Sequence, residues 1–108
     1  MSSLKPRLYS ERYAFETTTE QSLGDAFALI REDQGLTVIR AAPHGTWARM
    51  SLEVHSSLEA VGLTAALSSA LSDAGISANI VAGLRHDHIF VPWDRRDEAL
   101  HCIEALGS

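Results

Sequence analysis

From Trp47 to His55 the chain alternates without a break. Ala48, Met50, Leu52 and Val54 fall on one side, and Trp47, Arg49, Ser51, Glu53 and His55 on the other. A period of two is the mark of a strand with one face on a core and the other toward water or a partner. This strand must therefore belong to a sheet covered on one side, and the segments that follow supply the cover. Leu63, Ala66, Leu67, Ala70, Leu71 and Ala74 make the apolar stripe of a helix over about 60–74, closed by Gly75. Residues 76–84 read as a strand, Arg85-His86-Asp87 as a tight connection, and 88–92 as a strand ended by Pro92. Asp94 caps a last helix with Asp97 three residues on, and Ala99, Leu100, Ile103 and Leu106 face its core side. The order from residue 47 is β-α-β-β-α, a ferredoxin-like unit short of its final strand.

What precedes it has to complete the sheet. Residues 1–11 are polar, contain Pro6 and show no period, so they read as an N-terminal arm. Residues 12–46 read as a βαβ extension: a strand at 13–18, a helix after Ser22 and Asp25 with Leu23, Phe27 and Ile30 on one face, and a strand at 36–41. Gly35 closes that helix, and Pro43-His44-Gly45 turns the chain back, placing strand 36–41 beside strand 47–55. The expectation is an α+β fold with a mostly antiparallel sheet of about five strands, in the order 13–18, 36–41, 47–55, 88–92, 76–84. Helices cover mainly one face, and the open face invites a second copy.

The totals fit one domain of 108 residues with 45% apolar and 21% charged residues. Fourteen acidic against nine basic side chains, with no basic cluster, argues against nucleic acid as a partner. No apolar run is long enough to span a bilayer, and the N-terminus lacks the apolar stretch of a secretory signal. The single cysteine, Cys102, falls within a helix as a small apolar residue, and a reduced, cytoplasmic setting is the expectation.

Strands 47–55 and 76–84 are parallel in this scheme and end at one edge, where the helix after residue 60 begins. That rim collects unpaired helical N–H groups, the hydroxyls of Ser56 and Ser57, Arg85, Asp87 and the imidazoles of His55, His86 and His88. Helical N–H groups suit a carboxylate and Asp87 suits an ammonium, the two charges of an amino acid.

Residues 55–66, 73–79 and 86–92 resemble a family of small bacterial ACT-domain proteins, akin to the ACT modules of the CASTOR arginine sensors and of aspartate kinases. The similarity runs from about Tyr13 to Leu106 and is strongest over 52–92. It implies a regulatory, usually dimeric amino-acid-binding fold without catalytic activity, its ligand at the loop between the first ACT strand and helix. His55, Ser56, Ser57, Val61, Gly62 and Leu63 would then line the carboxylate side, and Asp87 with His88 the amino side.

Each residue also has a structural role to weigh. Ser56 or Ser57 can simply cap the helix, with Glu59 completing a capping box. Gly62 at a helix start points to close backbone approach. His86, Asp87 and His88 can tie a tight turn, and a zinc site would want a fuller ligand set than they offer. Ser56, His88 and Asp87 make a poor hydrolytic trio, because neighbours on a strand face opposite ways. The expected function is an amino-acid-binding homodimer with no metal, cofactor, nucleic-acid or membrane partner. The other reading is a protein-interaction module that binds no small molecule.

Overall fold

The computed structural model describes residues 5–19, 24–53 and 62–106. Its strands are β1 (Arg7–Thr18), β2 (Ala28–Glu32), β3 (Gly35–Ala41), β4 (Trp47–Glu53), β5 (Asn79–Ala82) and β6 (His86–Pro92). The helices are α1 (Leu63–Asp73) and α2 (Arg96–Leu106), the latter entered through a 3-10 turn at Trp93–Arg95. The strands form one antiparallel sheet in the order β2-β3-β1-β4-β6-β5. The α+β class and one-sided helices stand, with six strands in place of about five.

The N-terminal third departs from expectation. The segment read as a helix after Ser22 contains an edge strand, β2, joined to β3 by a hairpin through Asp33 and Gln34 with Glu32 opposite Gly35. Ser22 and Leu23 lie outside the described residues. Leu29 and Ile30 are 47% and 45% exposed on this strand, and of Phe27 and Ile30, the described members of the stripe that suggested a helix, only Phe27 packs inward. Pairing with a neighbour that is already a strand overrides a weak local preference. Gly35, expected as a helix terminator, takes φ 145° at the hairpin instead. The Thr37 hydroxyl donates to the Glu32 carboxylate across this pair.

The supposed arm is also a strand. Residues 7–13 of β1 pair with β4, whereas residues 13–18 pair with β3, so Tyr13 alone bonds to both neighbours. Strand 36–41 is therefore not beside strand 47–53. The place of the absent last strand of the ferredoxin-like unit is taken by the start of the chain. The register of β1 shifts between Leu8 and Arg12, which is how one long strand serves two partners. Segment 42–46 crosses the middle of β1, held by Ala42 N–H to Arg12 O at 2.9 Å and by the Arg12 guanidinium to Gly45 O at 3.1 Å.

The expected alternation in β4 is present: Ala48, Met50 and Leu52 are buried with Leu67, Leu71, Ile89, Val91, Ala99 and Ile103 beneath the helices. The opposite face is not left open. Tyr13, Ile39 and Phe90 form a second buried cluster with Phe15, Phe27, Ala28, Trp47 and Val81 around it. Phe27 precedes the edge strand β2, yet its ring centre is 4.8 Å from that of His88 on β6. Contact across so many intervening strands requires the sheet to curl, with this aromatic cluster filling the concave side.

Candidate functional site

Both β4 and β5 run antiparallel to β6, so they are parallel to each other and end at the edge where β6 begins. The Arg95 guanidinium fixes which way α1 points. It donates to Ala74 O at 3.0 Å and Gly75 O at 3.3 Å, and its Nε donates to Glu98 at 2.8 Å. This pins the C-terminal end of α1 to the edge where β6 ends, so its N-terminus faces the rim where β4 and β5 finish. The ends of β4 and β5 and the start of α1 therefore lie toward one edge of the sheet.

The helix starts later than expected. Gly62 is the N-cap residue of α1, no described side chain caps the helix, and the first turn holds no acid. His55, Ser56, Ser57 and Val61 lie outside the described residues. Gly62 has φ 105° and ψ −42°, a conformation reserved for glycine, and among the described residues nothing lies within 4 Å of a Cβ built there. Backbone geometry by itself calls for a glycine here. Leu63 packs against the helix-side core.

Asp87 and His88 are separated by the sheet. Asp87 stands opposite Leu52 and Ala82, on the side of Ile89 and Val91, and is 8% exposed. Its carboxylate makes no hydrogen bond or ion pair among the described residues. His88 projects into the concave side instead. Its Nδ1 is 3.5 Å from Arg49 Nη2, and Phe27 meets its ring edge-on. No group of His, Cys, Asp and Glu among the described residues is arranged to hold a metal ion.

Arg49 and its surroundings were not singled out by the sequence. Its guanidinium carbon lies 3.9 Å from the Tyr9 ring centre, 4.2 Å from Phe27 and 5.6 Å from Tyr13, and Nη1 donates to the Tyr13 hydroxyl at 2.9 Å. The one available signal was an arginine on the outer face of an alternating strand rich in aromatic neighbours. Burial first, then the charge of Arg49 and His86, pushes the His88 pKa below its ordinary value, with Asp87 opposing. A depressed histidine means that the unfolded chain binds the extra proton more readily, so stability falls as pH drops from 6.5 through the folded-state value. Melting temperature is expected to decrease between pH 7 and 5.5, and His88→Gln to flatten that decrease. An unchanged profile in the variant would remove His88 as its source.

No helix among the described residues is long and apolar enough to cross a membrane. No protein with a curated description matches the chain. Among solved structures, a Vibrio cholerae protein of unknown function, described as a possible transport protein, is 38% identical. The match covers 95% of this chain and 88% of that one, with a TM-score of 0.83. An Agrobacterium tumefaciens protein shares the fold at 17% identity and a TM-score of 0.77, with 99% and 91% of the two chains covered. Residues 44–105, from the corner before β4 to the end of α2, match the ACT domain, and with the β-α-β-β-α order found there the chain belongs to the ACT-domain family.

Proposed function

We propose that this protein is a small regulatory module that binds an amino acid or related small carboxylate at the rim between β4, α1 and the β5–β6 turn. It acts as a homodimer in a cytoplasmic setting, reports occupancy to a partner and has no catalytic role. One observation carries the reading: a buried carboxylate, Asp87, shares its face and edge with a helix start that no described side chain caps. The two ends of a zwitterion need those two partners, N–H groups at a positive helix end and an acceptor for an ammonium. Gly62 and Leu63 would bound the carboxylate side, with His55, Ser56, Ser57 and Val61 completing it from the preceding segment. His88, on the other face, is left out of this reading.

A thermal-shift panel of the twenty amino acids should show a melting temperature that rises with ligand concentration, about 2.7 kcal/mol of stabilisation at a hundredfold excess over Kd. Asp87→Asn is expected to erase that rise while the ligand-free protein still unfolds cooperatively. A flat panel overturns the reading. Leu84, 78% exposed in the β5–β6 turn at this rim, favours a second one, in which a partner chain covers the rim and nothing small binds there. A flat panel together with a dimer that survives dilution would select it.

A further inference from the structure

The concave face carries chemistry that the rim reading does not use. Arg7 and Arg49 approach the same ring, their guanidinium carbons 4.4 and 3.9 Å from the Tyr9 centre. The Tyr9 hydroxyl is 3.1 Å from Ser51 Oγ, and Ser51 is 6% exposed. Register places Arg7 opposite Ser51 on β1 and β4, and Ser51 opposite His88 on β6. These groups therefore form one cross-strand patch.

Its charge is unusual for a chain of net charge −5. Neither Arg7 nor Arg49 makes an ion pair among the described residues. The acid of β4 on this face, Glu53, is exposed and stands opposite His86. Arg49 gives one Nη proton to Tyr13 and directs the other Nη group at His88, while its Nε is buried without an acceptor. A guanidinium has five N–H donors, so each Nη keeps a second one. Of the two hydroxyl protons on Tyr9 and Ser51, one is used between them and one remains. Two cations with spare donors and a free hydroxyl proton match a dianionic oxygen cluster, which arginine pairs recognise by geometry as well as charge.

We propose that Arg7 and Arg49, with the Tyr9 and Ser51 hydroxyls, form a second ligand site that takes a phosphoryl dianion, free or as a monoester. It does not depend on the amino-acid reading of the rim, since it lies on the opposite face of the sheet. The lowered pKa of Tyr9, caused by its bond to Ser51 and then by the charges of Arg49 and Arg7, fits a patch built to stabilise negative oxygen.

The test is a titration of the full chain with inorganic phosphate at constant ionic strength, followed by the NMR signals of Arg49 Nε–H and His88 Cε1–H. Saturable shifts are expected, with a higher His88 titration midpoint once phosphate is bound. Arg7→Gln should weaken binding about tenfold, the effect of one charge-assisted contact, without altering the melting temperature much. A parallel titration with glycerol phosphate distinguishes the sources: tighter binding than phosphate assigns a monoester, equal or weaker binding the free ion. Equal affinity in wild type and Arg7→Gln, or shifts that acetate reproduces, would mean an adventitious ion only and overturn the proposal. Shifts that follow protein concentration without phosphate would overturn it too, giving the face to a second copy.

Discussion

Phe90→Ala is expected to lower the unfolding free energy by about 3–5 kcal/mol, the range for emptying a fully buried aromatic site. Phe90 is wholly buried, with ring centres of Phe15, Tyr13 and Phe27 at 5.3, 5.6 and 5.8 Å, all edge-on. It belongs to the concave cluster, so the loss would fall on the face that lacks helices. Domains of this size have only about 5–15 kcal/mol in reserve, so the variant should be near its unfolding threshold at 37 °C. Urea denaturation checks this: the midpoint should fall with little change in slope, and Phe90→Leu should recover part of the loss. A midpoint within experimental scatter of wild type would mean that the concave cluster does not help to hold the fold.

Gly45→Ala is expected to cost about 3 kcal/mol, the upper range for an intrusion that packing cannot absorb. A Cβ at Gly45 would lie 2.7 Å from the Tyr13 amide nitrogen and closer still to its carbonyl group. The obstacle is backbone in the middle of a sheet, not a movable side chain. The corner is also held on every side: Gly45 N–H to Ala42 O at 2.9 Å, Trp93 N–H to Thr46 O at 2.8 Å, and Arg12 stacked on Trp93 at 4.5 Å. Gly24→Ala is the control, because among the described residues nothing lies within 4 Å of a Cβ there. The two melting curves should separate widely, and coincidence would remove the close approach as the reason for a glycine at 45.

Legibility of the fold followed periodicity. Strand 47–53, helix 63–73, strand 86–92 and the last helix carry clean patterns, and each forms within a few residues of its expected limits. The N-terminal third carried conflicting signals. Phe27 and Ile30 suit either a helical stripe or an edge strand, and only tertiary pairing with β3 decides. Pro6 and the polar run around it concealed a strand, because the partner of Arg7 and Leu8 is far along the chain. The common edge at which β4 and β5 end was legible because strand direction follows from connectivity. The concave cluster was not, since its members come from all six strands and the segment before β2, which no local pattern links. The opposite facing of Asp87 and His88, by contrast, follows from strand alternation alone.

The division of β1 between two partners has a temporal consequence. Tyr9 and Ser51 touch across 42 positions of sequence, so β1 waits for a strand made much later before its hydrogen bonds to β4 can close. Nascent chains of such topology pay loop-closure entropy before any long-range contact rewards them. Until β4 arrives, residues 7–11 of β1 have no strand to pair with, and the ACT unit can finish its sheet only by reaching back to a segment made well before it.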